Sequence, residues 1–190
     1  MADDTHGGGA GGQHGAGPQG AGPDGGEPGR DIGRDIGWAD TVRFRLPPGW
    51  AVDVEEHEGQ PVGTFRPPPP AAGVLRLVTD RVVPRPDGGS PVADTLQEIA
   101  LRFVRPQDPR AGDRTVDSRP DGAVIAQAMM RTDEDGRAET HYLWLVGAVR
   151  AGAAAVAMFS FALPALMDGD ESCAETLGRI DDAIRTAEIL

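Results

Sequence analysis

The sequence predicts an α+β protein, in which helices flank an antiparallel β-sheet in a three-layer α/β/α sandwich behind a disordered glycine-rich tail. Three observations lead to this fold class. Several short segments alternate apolar and polar residues, which is the period of a half-buried strand. Two other segments repeat apolar residues at the period of a helix. Two long strands near the C-terminus are apolar on both faces, and such strands need a covering layer on each side.

The first half of the domain is predicted to contain four short strands. Val42, Phe44 and Leu46 alternate with arginines, which indicates a strand with one exposed face. Three further strands are separated by turns rich in proline and glycine, and they are predicted at residues 50–54, 61–65 and 74–78.

Two amphipathic helices are predicted, one in the middle of the chain and one at its C-terminus. In the first, over residues 91–105, Ser90 is a suitable N-cap and one stripe is apolar. That stripe consists of Val92, Leu96, Ile99 and Phe103. The C-terminal helix has a similar stripe, which consists of Cys173, Leu177, Ile180, Ile184 and Ala187. We expect each helix to cover one face of the sheet.

The remaining strands are longer and form hairpins. They are predicted at residues 123–131, 138–149 and 153–163, with a further short strand at 115–118. Gly136 tolerates positive φ, so the acidic segment before it is expected to form a hairpin turn. Arg150 interrupts the apolar stretch around the last two strands and is costly inside a bilayer. Two buried strands joined by a tight turn therefore explain that stretch better than a membrane helix.

Composition divides the chain into a tail and one domain. Of the 27 glycines, 14 lie within residues 1–37, a segment that ends in a tandem Arg-Asp-Ile-Gly repeat. Glycine loses the most backbone entropy on folding, and this segment has few side chains to bury, so residues 1–37 are predicted to be disordered. Residues 38–190 have the usual size of a single domain with one core.

Charge and cysteine content exclude several classes of function. The net charge is −12, which argues against binding nucleic acid or anionic membrane surfaces. A single cysteine, Cys173, excludes an internal disulfide framework and a cysteine-based zinc cluster. Residues 1–37 lack the basic start and apolar run of a secretory signal, so a cytoplasmic location is predicted.

The segment Phe44-Arg45-Leu46-Pro47-Pro48-Gly49-Trp50 resembles the start of proteins in the PsbP-like superfamily. That group includes the photosystem II extrinsic P subunit, a Ran-binding nuclear import factor and small bacterial proteins. The order of predicted elements over residues 40–190 is similar as well. The resemblance implies an α/β/α sandwich that serves as an interaction scaffold, and it transfers no functional residues, because the matching turn is structural.

The densest charge cluster lies at residues 53–58, where acidic side chains surround His57. A metal site there is unfavourable, because adjacent residues of a strand point to opposite faces and do not converge. We predict instead that four of these residues form a partner-binding patch: Asp53, Glu55, Glu56 and Glu58. His141 lies mid-strand with no nucleophile motif near it in sequence, so it is expected to be structural.

Two functions remain open at this point. The first is a non-catalytic cytoplasmic protein-interaction module, for example an acidic accessory or immunity-type protein that binds a basic partner. The alternative is a small-molecule or lipid-binding domain with a pocket between sheet and helix. No catalytic residues, metal ligands or cofactors are predicted in either case. A preformed apolar cavity would favour the alternative, whereas a closed core and a large acidic face would favour the first.

Overall fold

The computed structural model describes residues 33–84, 91–103 and 108–190. These residues form ten strands, two α-helices and a short 3₁₀ helix at Ala165–Met167. The helices are α1 (Val92–Arg102) and α2 (Glu171–Arg185). The strands are β1 (Arg34–Trp38), β2 (Val42–Leu46), β3 (Ala51–His57), β4 (Gln60–Arg66), β5 (Val74–Val82), β6 (Ala111–Ser118), β7 (Val124–Glu134), β8 (Arg137–Arg150), β9 (Ala153–Pro164) and β10 (Glu188–Ile189).

Seven of the strands form one antiparallel sheet in the order β3-β4-β5-β9-β8-β7-β6. Two-residue turns join β7 to β8 and β8 to β9, as the sequence predicts. Asp135 and Gly136 have φ of 54° and 74°, and Ala151 and Gly152 have φ of 48° and 78°. Positive φ at both central positions matches the right-handed twist of the strands that flank such turns.

A second, smaller antiparallel sheet has the order β1-β2-β10. Its first strand contains the second copy of the Arg-Asp-Ile-Gly repeat, which the sequence assigns to the tail. Ile36 lies opposite Phe44 and is only 7% exposed, and Asp35 accepts a 3.0 Å hydrogen bond from Arg45 Nε. The ordered domain therefore includes Arg34–Trp38, while residues 1–32 lie outside the described part of the chain.

Two hydrophobic clusters lie on opposite faces of the large sheet. On one face, α1 packs through Leu96 and Ala100 against Leu145 and Val156. Gly147 makes this approach possible, since an added Cβ would lie 2.6 Å from Leu96 Cδ1. On the other face, the small sheet and α2 share the cover, and α2 buries Cys173, Ile180 and Ile184 as its stripe predicts.

The predicted three-layer α/β/α sandwich is wrong. Strands make up 54% of the described residues and helices 20%, and the strands belong to two sheets. The alternation in Val42–Leu46 correctly predicts a strand with one buried face, but β2 leaves the main sheet and packs across it. Alternation reports only that one face is buried, and a second sheet can bury it as well as a helix can. Ser90, predicted as the N-cap of α1, lies outside the described residues.

Candidate functional site

The four acidic residues predicted to bind a partner lie on β3 and on the turn that follows it. β3 is an edge strand of the large sheet, and Asp53, Glu56 and Glu58 are exposed. Alternation along β3 places Asp53 and Glu55 on one face and Glu56 on the other. Glu58 lies in the turn to β4, with φ of 51°. The structure thus brings the four residues to one edge without joining them in a single cluster.

Part of this acidic charge is already neutralised. Arg66 on β4 lies 3.1 Å from Glu55 through Nη2 and 3.9 Å from Asp53 through Nη1. Neither Glu56 nor Glu58 forms an ion pair with any residue that the structure describes. These two carboxylates are therefore the members of the predicted patch that are available to a partner.

A groove of about 590 Å³ opens beside the same hairpin. Its walls are the β3–β4 hairpin and Phe103 at the end of α1, and its floor is formed by β5, β8 and β9. The groove exists because α1 covers only one end of this sheet face, where it packs on Leu145 and Val156. Within the described ranges, the groove marks the part of this face that α1 does not cover.

The floor of the groove is apolar with two polar side chains at its centre. Val78 lies opposite Met158, and Leu143 lies beside Ser160 in the next row. Arg76 is the register partner of Ser160, so the guanidinium and the hydroxyl project from neighbouring strands onto the same face. Arg76 therefore rises from an apolar floor, while Glu55, Glu56 and His57 line the wall that the β3–β4 hairpin forms.

Arg76 is a cation without a counter-ion. Within the described ranges it forms no hydrogen bond and no ion pair. Its other register partner, Thr64, is fully buried, and the Thr64 hydroxyl has no hydrogen-bond partner. A guanidinium with five free donors is suited to a carboxylate or phosphate, which it can bind through two parallel hydrogen bonds.

The same sheet face carries a second cavity, of about 580 Å³, near the β7–β8 turn. There His141 Nε2 lies 3.1 Å from Thr132 Oγ1 and 3.3 Å from Glu139 Oε2. Across the described ranges, no three side chains of the metal-ligating types converge on a point that could hold an ion. His141 thus contacts both strands of the β7–β8 hairpin, and its structural role stays a prediction.

The same end of β8 is held on the opposite face of the sheet by Asp168, which follows the 3₁₀ helix. Its carboxylate accepts hydrogen bonds from Tyr142 Oη at 2.7 Å, Thr140 Oγ1 at 3.1 Å and Arg131 Nη2 at 3.2 Å. The hydrogen bond from Tyr142 is the main reason that the pKa of Asp168 lies below its ordinary value. Burial, followed by this hydrogen bond, raises the pKa of Tyr142 to about 12. These three hydrogen bonds to one carboxylate make the cluster a structural tie.

Sequence reasoning missed Arg76 and Ser160 as site residues. A signal for them exists, since each stands between two buried residues in a central strand: Leu75 and Leu77 flank Arg76, and Phe159 and Phe161 flank Ser160. Alternation of this kind usually means a solvated face. Only the position of α1 shows that this face is a groove.

Comparison with known proteins supports the fold alone. No protein-family model and no curated protein matches the chain. A crystal structure at 1.50 Å resolution of a Bacteroides thetaiotaomicron VPI-5482 protein is similar, with a TM-score of 0.54 and 18% identity over 84% of this chain and 49% of that one. The chain thus spans about half the length of that protein.

LpqN, which is involved in cell envelope biogenesis of Mycobacterium tuberculosis, has a TM-score of 0.53 and 16% identity to the chain, over 86% of each. Neither of these two proteins is described as PsbP-like, so that resemblance stays a prediction. Neither helix in the described ranges is long and apolar enough to cross a membrane.

Proposed function

We propose that this protein is a non-catalytic binding domain whose groove holds a small amphiphile with an anionic head group. The observation that carries the proposal is Arg76, whose guanidinium stands on the apolar floor of the groove and has no ion pair in the described ranges. This is the alternative that the sequence leaves open, a pocket between sheet and helix. The cytoplasmic location and the absence of catalysis remain predictions.

The size and lining of the groove suit a small molecule. Its volume of about 590 Å³ falls within the range of about 300–1,000 Å³ that is usual for ligand sites. Val78, Phe103, Leu143 and Met158 are all partly exposed to it, so a bound alkyl or ring system would remove apolar surface from water. Apolar contact of this kind supplies affinity without requiring a specific shape.

Arg76 and Ser160 supply the polar end of the site. A carboxylate or phosphate between them would accept hydrogen bonds from both side chains, and charge-assisted bonds of this type contribute about 1.5–3 kcal/mol. The net charge of −12 disfavours the approach of any anion at long range, so the local guanidinium is needed to select one. In the described part of the chain Ser160 has no hydrogen bond to a histidine, which supports binding rather than catalysis.

The test is displacement of the fluorescent probe 1-anilinonaphthalene-8-sulfonate by decanoate and, separately, by decanol. We expect both ligands to displace the probe and decanoate to bind more tightly. Arg76→Gln should lower the affinity for decanoate about tenfold and leave the affinity for decanol unchanged, because only the carboxylate of decanoate interacts with the guanidinium. Arg179→Gln on α2 is the matched control, since it removes an equal charge on a surface away from the groove. If neither ligand displaces the probe, the groove is not an amphiphile site.

A further inference from the structure

The outer edge of β3 is open. β3 is seven residues long and ends the large sheet, and no strand of the described ranges pairs with its outer side. Proteins usually shorten, cover or distort such an edge, because its free main-chain groups pair readily with another extended chain. Here, β3 keeps a regular register with β4 along its whole length, from Ala51 opposite Arg66 to His57 opposite Gln60.

The main chain of β3 shows which groups face outward. The Val54 amide donates a 2.8 Å hydrogen bond to the carboxylate of its own neighbour, Asp53, and so it is not directed at β4. Amides two residues apart in an antiparallel strand point to the same side, so those of Val52 and Glu56 also face the open edge. Val52, Val54 and Glu56 thus direct their main-chain groups to the open edge, where the Val54 amide is bound only by the neighbouring Asp53 side chain.

The side chains along this edge are apolar and acidic. Val54 is 61% exposed and Val52 is 37% exposed, and alternation along β3 places both on the face of the sheet away from the groove. Glu56 follows the same alternation, but it also lines the groove. Glu58 extends the acidic charge into the turn, and neither glutamate forms an ion pair in the described ranges. Exposed valines beside unpaired main-chain groups are the features of a strand that can accept another strand.

We propose that β3 binds an extended basic segment of a partner protein by strand addition. The partner segment adds an eighth strand to the large sheet, places apolar side chains on Val52 and Val54, and places lysines or arginines opposite Glu56 and Glu58. This surface shares the β3–β4 hairpin with the amphiphile groove, and Glu56 also lines that groove, whereas Val52, Val54 and Glu58 do not.

The acidic charge along β3 favours a basic partner segment over a second copy of this chain. A second copy of this chain, paired antiparallel about Val54, would place Asp53 opposite Glu55, and like charges directly opposite destabilise a strand pair. A basic segment has the opposite effect, because its charges lie against carboxylates that lack partners. A protein with a net charge of −12 also attracts a cationic peptide at long range.

The experiment uses the full chain and a fluorescein-labelled ten-residue peptide that alternates lysine with valine or threonine. Binding is followed by fluorescence anisotropy. A second peptide has the same sequence and charge, with N-methyl groups on the amides of alternate residues along its pairing edge. We expect the N-methylated peptide to bind about tenfold more weakly or worse, because strand addition needs main-chain hydrogen bonds and charge attraction does not.

Two double variants test the position of the site. The double variant Glu56→Gln, Glu58→Gln should bind the unmodified peptide with an affinity at least about fivefold lower. Asp94→Asn with Asp117→Asn is the matched control and should leave its affinity unchanged, since it removes the same charge from α1 and β6. Equal affinity for the two peptides, or equal loss in the two double variants, would overturn strand addition at β3. A dimer in sedimentation that Glu56→Gln strengthens would overturn the choice of occupant.

Discussion

Trp144 Nε1 donates a 2.8 Å hydrogen bond to Asp181 Oδ1, which ties the middle of β8 to α2. The same carboxylate oxygen accepts a bond from Gln127 Nε2 at 2.9 Å, and Oδ2 accepts one from Arg185 Nε at 2.7 Å. Trp144 is fully buried, so its indole N–H has no access to water. Asp181 is therefore a central polar contact between α2 and the sheet.

Replacing Asp181 with alanine is expected to lower the free energy of unfolding by about 2–4 kcal/mol, because it leaves a buried N–H unsatisfied. Asp182→Ala, at the neighbouring exposed position, should cost less than about 0.5 kcal/mol. Urea denaturation of both variants measures the difference. An equal loss in the two variants would contradict the role of Asp181.

Stability should change with pH at both ends of the range because of Tyr142 and Asp168. The pKa of Asp168 is lowered in the native state, so its contribution is present above about pH 4 and is lost as the pH falls further. The pKa of Tyr142 is raised to about 12, so its contribution is present below about pH 10 and is lost as the pH rises toward 12.

Chemical denaturation across this pH range measures the effect. Tyr142→Phe should remove most of the loss between about pH 10 and about pH 12. Asp168→Asn should flatten the profile below about pH 4 and reduce stability at neutral pH. If both variants lose stability at the same acid and alkaline pH as the unmodified protein, this cluster does not determine the pH range of stability.

The two copies of the Arg-Asp-Ile-Gly repeat should differ sharply in their effect on stability. Ile36→Ala removes a side chain that is 7% exposed and packs in the main core, so the free energy of unfolding should fall by about 2–4 kcal/mol. Ile32→Ala makes the same chemical change in the first copy, before β1 begins, and should have no measurable effect. Thermal unfolding distinguishes them, and a comparable loss from Ile32→Ala would place the start of the domain earlier.

Gly147 tests how closely α1 approaches the sheet, and Gly178 on α2 is the control substitution. Gly147→Ala would place a Cβ 2.6 Å from Leu96 Cδ1 and 3.0 Å from Val156 Cγ1, so it should destabilise the protein by about 1–3 kcal/mol. Gly178→Ala, on the exposed side of α2, meets nothing within 4 Å and should stabilise it by up to about 1 kcal/mol. The midpoints of urea unfolding give both signs. If Gly147→Ala is neutral, α1 is free to shift on this face.

Local patterns in the sequence predicted most of the elements. The apolar stripes located α1 and α2, and Cys173 is buried on α2 as that stripe predicts. Positive φ at Gly136 and Gly152 confirmed two hairpin turns. These features depend on residues within a few positions of one another, so the sequence alone is sufficient to predict the helices and the turns.

The partners of those elements were not predictable in the same way. β1 was missed because Ile36 is its one buried residue, and a single apolar residue among glycines gives no period. The unpaired Glu56 and Glu58 could not be distinguished from Asp53 and Glu55, because Arg66, which neutralises the latter pair, comes from another strand.

The sequence by itself determined most of the strands, both α-helices and the acidic segment at residues 53–58, because period, turn residues and charge are local properties. Only the tertiary structure decided that β2 joins a second sheet and that α1 stops short of the β3–β4 hairpin. Burial of an apolar strand face lowers the free energy of the folded protein whether a helix or another sheet covers it. The alternation pattern of a strand therefore does not predict which element will pack on it. The groove around Arg76 forms because α1 packs on only part of this sheet face.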